Sequence, residues 1–141
     1  MSKKILVIED DPGSLRLMVY TLEHQGYQVL TAINGLVGIK KAQSEEPDLI
    51  VLDIMLPGMD GFEVCHYLRA EPGTAQLPVL MLSGKAQEVD EATGLKVGAD
   101  DYLIKPVVPS KIISRVTTLL AQKKQLESKK RQGNMAIAQN K

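Results

Sequence analysis

Five short segments with high strand propensity recur along the 141-residue chain, separated by longer stretches in which apolar residues repeat at helical spacing. Most of these segments are continuously apolar, which is typical of strands covered on both faces of a parallel sheet. The predicted strands are residues 5–8, 28–32, 49–52, 79–82 and 101–104. Strands that alternate with helices predict an α/β fold with helices on both faces of the sheet.

The helical stretches carry recognisable start and stop signals. Asp11 before Pro12 predicts the N-cap and first turn of the first helix, and Gly26 predicts its end. A turn at residues 57–61 precedes the third helix, and residues 88–97 form the predicted fourth helix. Five strand–helix units joined by right-handed crossovers favour a flavodoxin-like (βα)5 doubly wound parallel sheet with strand order 2-1-3-4-5.

Charge is unevenly distributed, although the net charge of the whole chain is zero. Residues 121–141 hold six basic residues and one acidic residue, a net charge of +5, so residues 1–120 carry −5. An acidic body followed by a basic tail indicates two regions rather than one uniform domain. We therefore predict a folded domain over residues 1–120, followed over residues 121–141 by a basic extension of the last helix and a disordered tail.

Composition excludes several classes of protein. A single cysteine, Cys65, rules out an internal disulfide framework and fits a reducing compartment, and two scattered histidines are too few for a zinc site. No apolar run approaches the ~18 residues of a membrane span, and no signal peptide precedes the first strand. The basic tail lacks the interleaved aromatics and second domain that base recognition needs. We expect a cytoplasmic protein that, as this chain alone, binds neither membrane nor nucleic acid.

The informative polar residues follow the carboxyl ends of the predicted strands. Glu9 and Asp10 come after the first strand, Asp53 after the third, Ser83 after the fourth and Lys105 after the fifth. In an open parallel sheet these ends meet at one edge, where ligands bind. The sequence therefore predicts three carboxylates, one hydroxyl and one ammonium at a single site.

This set of groups suits metal-assisted phosphoryl transfer. Carboxylates that lie close together repel one another, and Mg²⁺ relieves this repulsion because it prefers oxygen ligands and often bridges carboxylates to phosphate oxygens. The Lys105 ammonium and the Ser83 hydroxyl are then available for the remaining phosphoryl oxygens. Asp53 is the carboxylate best placed to attack phosphorus and become an acyl phosphate.

Four motifs resemble the receiver domain of bacterial response regulators over residues 3 to about 120. They are Ile-Glu-Asp-Asp at 8–11, Leu-Asp-Ile-Met-Leu-Pro-Gly-Met-Asp-Gly at 52–61, Leu-Ser-Gly at 82–84 and Gly-Ala-Asp-Asp-Tyr-Leu-Ile-Lys-Pro at 98–106. One such motif is modest evidence, whereas all four in order and at these separations are specific. The chain also resembles the receivers of the winged-helix regulator subfamily.

The resemblance implies a role for each site residue. It makes Glu9 and Asp10 metal-side acids, Asp53 the phosphoacceptor and the backbone carbonyl of Met55 a further ligand of Mg²⁺. It makes Ser83 and Lys105 the phosphoryl-sensing pair and Tyr102 the aromatic that changes rotamer on activation. It also implies a cis peptide bond between Lys105 and Pro106. Glu9 departs from the family, in which an aspartate is common at this position.

The resemblance also implies partners and a mode of action. A sensor histidine kinase or phosphotransfer protein would phosphorylate Asp53, and the face formed by the fourth helix, fifth strand and fifth helix would then shift. That face would bind a downstream protein partner or a second copy of the chain. The protein would be a phosphorylatable signalling protein rather than an enzyme, limited to its own phosphorylation and dephosphorylation.

Two alternatives compete with this hypothesis. An aspartate phosphatase of the haloacid dehalogenase type also uses Mg²⁺ and an acid after a parallel strand, but it needs a second acid where this chain has Met55. A constitutive pseudo-receiver would bind partners without being phosphorylated, and the complete set of Glu9, Asp10, Asp53, Ser83 and Lys105 argues against it. The simplest non-functional interpretation is that Glu9 and Asp10 only solvate a strand end and cap the first helix.

Overall fold

A computed structural model describes residues 2–84 and 97–139 of the chain. The five predicted strands all occur. They are β1 (Lys4–Ile8), β2 (Gln28–Ala32), β3 (Leu49–Asp53), β4 (Val79–Ser83) and β5 (Asp101–Ile104). All pairings are parallel and the strand order is β2-β1-β3-β4-β5, which confirms the predicted flavodoxin-like topology.

Helices cover both faces of this sheet. They are α1 (Pro12–His24), α2 (Gly35–Glu45), α3 (Gly61–Ala70) and a long C-terminal helix, α4 (Pro109–Gln139). These correspond to the first, second, third and fifth predicted helices, while almost all of the predicted fourth helix lies outside the described residues. The α4 backbone continues past residue 120 without a break, and the division of the chain at that residue stays a prediction.

The predicted start of the first helix is confirmed. An Asp11 carboxylate oxygen accepts a hydrogen bond from the Ser14 backbone N–H at 2.8 Å, and Pro12 occupies the first turn. This bond lowers the pKa of Asp11 because the N–H stabilises the charged carboxylate. At the other end the chain leaves α1 through Gly26, whose φ of 91° suits a residue without a side chain. The carboxylate of Asp11 is thus committed to capping the helix.

Two apolar clusters fill the space between the sheet and the helices. Successive strand residues, such as Ile5 and Leu6, point to opposite faces and join different clusters. One cluster packs beneath α2 and α3 and the other beneath α1 and α4. The central strands β1, β3 and β4 are buried almost completely, as the continuous apolar segments predicted. None of the described helices is both long enough and apolar enough to cross a membrane.

The register of the strands sets the position of the site. Ile8 is level with Leu52, and Asp53 is level with Leu82 one residue further along. On the other side of β4, Ser83 is level with Ile104. Asp53 and Ser83 end their strands, and Glu9 and Lys105 directly follow theirs, so the four residues lie side by side at the carboxyl edge of the sheet.

Arg69 on α3 joins three segments at the opposite side of the fold. Its Nε donates to the Gly98 carbonyl at 2.9 Å, and its Nη1 donates to the carbonyls of Ala75 at 3.2 Å and Leu77 at 2.6 Å. Its Nη2 pairs with an Asp100 carboxylate oxygen at 2.7 Å. One guanidinium thus fixes the α3–β4 connection and the segment that leads into β5.

We expect Arg69→Met to lower the free energy of unfolding by roughly 2–4 kcal/mol, because it removes charged hydrogen bonds and leaves carbonyls without their donor. Urea unfolding of the variant and of wild type would measure the difference. Arg16→Met, the same change at an exposed arginine on α1, is the control. Equal losses for the two variants would show that the Arg69 hydrogen bonds contribute no special stability.

Candidate functional site

Five predicted site residues meet at the carboxyl edge of the sheet, and three of them are buried. Glu9 has 0% of its surface exposed, Ser83 has 2% and Asp53 has 3%. Asp10 is exposed beside them, and Lys105 is partly buried. Burying carboxylates is unfavourable unless each is paired or hydrogen-bonded, so their partners determine what the site can do.

Lys105 is the common partner of the two buried acids. Its Nζ lies 2.6 Å from Glu9 Oε1 and 2.8 Å from Asp53 Oδ2. Sequence reasoning placed all three groups at one edge but gave Lys105 only a role toward phosphoryl oxygens. The ion pairs show a second role, which is to balance the charge of the buried carboxylates.

The Asp53 carboxylate is held at both oxygens. Oδ1 accepts a hydrogen bond from the Met55 backbone N–H at 3.0 Å, while Oδ2 contacts the Lys105 ammonium. The side chain of Met55 itself is 64% exposed. Two donors from different parts of the chain therefore fix the orientation of Asp53, the predicted phosphoacceptor.

The acidic cluster can hold a metal ion. Glu9, Asp10 and Asp53 each offer a carboxylate oxygen, and these three atoms lie within 4.8 Å of one another. Within residues 2–84 and 97–139, the second oxygen of Glu9, Oε2, is buried and has no hydrogen-bond partner. Hard divalent cations prefer such oxygen ligands, so the residues present fit a metal.

Burial and neighbouring charges shift the pKa values of one acid, Glu9, and one base, Lys105. Burial of the Glu9 carboxyl raises its pKa to about 7, and the nearby Asp53 acts in the same direction. Burial alone would lower the pKa of Lys105, but its hydrogen bonds to Asp53 and Glu9 outweigh this effect and raise it. Lys105 is therefore charged at neutral pH, whereas Glu9 exchanges its proton near neutrality.

The remaining predicted residues flank this cluster. Ser83 ends β4, and its carbonyl accepts a hydrogen bond from the Lys105 backbone N–H at 2.6 Å. The Tyr102 hydroxyl on β5 is buried, and it has no hydrogen-bond partner in the part of the chain that the structure describes. The Lys105–Pro106 peptide bond is cis, as the resemblance implied. The functional roles of Ser83, Tyr102 and the Met55 carbonyl stay predictions.

One residue beneath the site, Gly61, had no predicted role. Gly61 is the first residue of α3 and is buried against the backbone at the end of β3. In the sequence Gly61 is the last residue of the 52–61 motif, directly after Asp60, and the predicted turn at 57–61 already accounts for a glycine there. Its tight contacts become visible only when the chain is folded.

Comparisons with known proteins agree with this geometry. The family model of the response regulator receiver domain matches residues 5–117. The alkaline phosphatase synthesis transcriptional regulatory protein PhoP of Bacillus subtilis is 48% identical over 120 residues, which are 85% of this chain and 49% of that protein. The chain thus spans about half the length of the curated relatives it matches.

Solved structures show the same fold. A CheY-like response regulator receiver domain protein of Methanospirillum hungatei is 29% identical, with a TM-score of 0.83 over 89% of this chain and 98% of the other. The receiver domain of a Pseudomonas aeruginosa sensor histidine kinase, solved with a magnesium ion coordinated in its active site cleft, is 26% identical. Its TM-score is 0.80 over 86% of this chain and 99% of the other. Since the family model covers most of the chain and these solved structures share its fold, the chain belongs to the response regulator receiver domain family.

Proposed function

We propose that this chain is a phosphorylatable switch in which Asp53 accepts and stores a phosphoryl group. The observation that supports the proposal best is the burial and fixed orientation of the Asp53 carboxylate. It is buried at the edge of the sheet, oriented by the Met55 N–H and the Lys105 ammonium, and lies beside Glu9 and Asp10. An oriented, almost fully desolvated carboxylate is well prepared to act as a nucleophile.

The reaction is a simple displacement at phosphorus. A carboxylate oxygen of Asp53 attacks the phosphorus of a phosphohistidine, and the bond from phosphorus to the imidazole nitrogen breaks. The electron pair of that bond stays on the imidazole, which takes a proton from solvent. The Lys105 ammonium and the Ser83 hydroxyl then bind oxygens of the new acyl phosphate.

We infer that the metal at this site is Mg²⁺, held by Glu9, Asp10 and Asp53 with a contribution from the Met55 carbonyl. The donor set consists only of oxygens, which suits this ion better than softer metals. The magnesium bound by the Pseudomonas aeruginosa receiver domain supports the same identity. When bound, the ion supplies positive charge that offsets the charge of the phosphoryl group.

The partners follow from this chemistry. A sensor histidine kinase or a phosphotransfer protein supplies the phosphoryl group, and a downstream protein or a second copy of the chain reads the result. Phosphorylation adds a charge of about −1.5 to −2, which draws Ser83 and Lys105 inward and lets Tyr102 move. The names of the relatives connect such switches with transcriptional regulation. We propose a cytoplasmic signalling role without turnover of external substrates.

Acetyl phosphate with Mg²⁺ tests the proposal without a protein donor. We expect intact-mass spectrometry to show one added phosphoryl group on wild type and none on Asp53→Asn. Asp48→Asn is the matched control, because Asp48 lies near the start of β1, where its carboxylate accepts a hydrogen bond from the Lys4 backbone N–H at 2.7 Å that an asparagine oxygen can also accept. Labelling of this control should match wild type.

Other outcomes would identify a different function. An adduct that survives Asp53→Asn would overturn the assignment of the acceptor. A wild-type protein that takes up no phosphoryl group would instead act as a constitutive binding module. Repeated hydrolysis of a generic phosphate ester would support the phosphatase alternative, against which the non-acidic Met55 argues.

A further inference from the structure

Gly61 approaches the backbone of the acceptor strand more closely than any side chain would allow. A Cβ atom at this position would lie 2.6 Å from the Asp53 carbonyl oxygen and 2.7 Å from the Ile54 Cα. Both are backbone atoms, so neither can turn away as the end of a flexible side chain could. A residue with a side chain at position 61 would therefore force the main chain apart.

The close approach closes a short loop. The Gly61 N–H donates to the Ile54 carbonyl at 2.9 Å, and the Leu56 N–H donates to the same oxygen at 3.0 Å. Residues 54–60 are thus drawn into a loop whose two ends meet at one carbonyl. Met55 lies inside this loop, and its N–H holds Asp53 Oδ1 at 3.0 Å. A continuous set of contacts leads from Gly61 to the reacting carboxylate.

We propose that Gly61 is a positioning residue for phosphorylation of Asp53. Its missing side chain lets the start of α3 seat against the end of β3, which places the Met55 N–H on the Asp53 carboxylate. The inference rests on the proposed function, because it names a determinant of the same site. A displacement of about 1 Å in such a group is enough to slow a reaction on the order of a hundredfold.

Gly61→Ala tests the proposal, with two controls. Gly73→Ala makes the same chemical change in the α3–β4 connection, where nothing lies within 4 Å of the added Cβ. Leu119→Ala removes a buried side chain of α4 and destabilises the fold at a position that takes no part in the loop. It shows how much labelling a general loss of stability removes.

Two measurements separate positioning from folding. The first is the rate of labelling by acetyl phosphate with Mg²⁺, under conditions where each variant is fully folded. We expect Gly61→Ala to label on the order of tenfold to a hundredfold more slowly than wild type, and both controls to label at the wild-type rate. The second is hydrogen exchange of the Met55 amide without metal, which we expect to accelerate at least about tenfold only in Gly61→Ala.

Clear results would overturn the proposal. Labelling of Gly61→Ala at the rate of wild type, or a loss no larger than that of Leu119→Ala, would show that Gly61 has only a structural role. If Gly61→Ala does not fold, hydrogen exchange in wild type still tests the proposal. A loop that Gly61 holds closed opens as a unit, so the Gly61 and Met55 amides should have similar protection from exchange. Clearly different protection would contradict the proposal. If wild type is not labelled at all, the proposed function fails, while the exchange measurements still test the loop.

Discussion

Lys105→Met is expected to lower the stability of the metal-free protein by several kcal/mol at pH 8 and by less at pH 5. Lys105 lies 2.6 Å from a Glu9 oxygen and 2.8 Å from an Asp53 oxygen, and both acids are almost completely buried. Removing one partner of a buried ion pair typically costs about 3–5 kcal/mol, because the remaining charge is left without compensation.

The pH dependence follows from Glu9. Its pKa of about 7 means that Glu9 is largely neutral at pH 5, so Lys105 then balances the Asp53 carboxylate alone. At pH 8 wild-type Glu9 is ionised beside the Lys105 ammonium, which lowers the pKa of Glu9. Without this ammonium the variant must hold a buried, uncompensated charge on Glu9 or keep a proton that the unfolded chain has released, and either reduces its stability. The pKa of Lys105 is raised above its usual value, so its charge and its contribution persist in wild type throughout this range.

Urea unfolding at pH 5 and pH 8, with and without Mg²⁺, measures these effects. Lys111→Met, at an exposed lysine of α4, is the control and should behave as wild type. We also expect Mg²⁺ to stabilise Lys105→Met more than wild type, because in the variant no ammonium competes with the ion for the Glu9 and Asp53 carboxylates. A loss of stability that is equal at the two pH values would contradict the role assigned to the buried pair.

The fold was predictable because the strand segments are nearly all apolar. Residues such as Leu6 and Val51 cannot be exposed without a large penalty, so segments 5–8 and 49–52 had to be central strands. Parallel strands then bring their carboxyl ends together, and this alone placed Glu9, Asp53 and Lys105 at one edge. The predicted fold and the shared location of these residues both came from elementary packing rules.

The contacts within the site could not be predicted in the same way. Whether Lys105 points toward Glu9, toward Asp53 or toward solvent depends on differences of a few ångströms that no residue pattern contains. The role of Gly61 is hidden for a related reason, because a glycine in a turn is ordinary and only its distance to the Asp53 backbone makes it special. Spacing in the sequence defines which element a residue follows, whereas function depends on where its atoms lie.

Glu9→Gln is expected to stabilise the metal-free protein at pH 8 while weakening its response to Mg²⁺. The usual pKa of this carboxyl is 4.5, and in the folded protein it is about 7. Between these values the folded protein keeps a proton that the unfolded chain has released. The free energy of unfolding of wild type therefore falls as pH rises from 4.5 to 7, by up to about 3 kcal/mol.

Glutamine removes this fall because it does not titrate, while its carbonyl oxygen can still accept the hydrogen bond from Lys105. The stability curves of the two proteins should thus lie close together near pH 4.5 and separate toward pH 8, with the variant above. Glu23→Gln, at an exposed glutamate of α1, should follow wild type at every pH. Parallel curves for Glu9→Gln and wild type would show that burial does not shift the Glu9 proton equilibrium.

The response of Glu9→Gln to Mg²⁺ tests whether the unfavourable burial of the Glu9 carboxylate serves metal binding. The variant has two carboxylates instead of three toward the ion, so the rise in unfolding midpoint with added Mg²⁺ should be smaller than in wild type. A more stable protein with a weaker metal site is the pattern expected where function holds a charge in an unfavourable place. If Glu9→Gln responded to Mg²⁺ as strongly as wild type, Glu9 would serve to hold Lys105 rather than the ion.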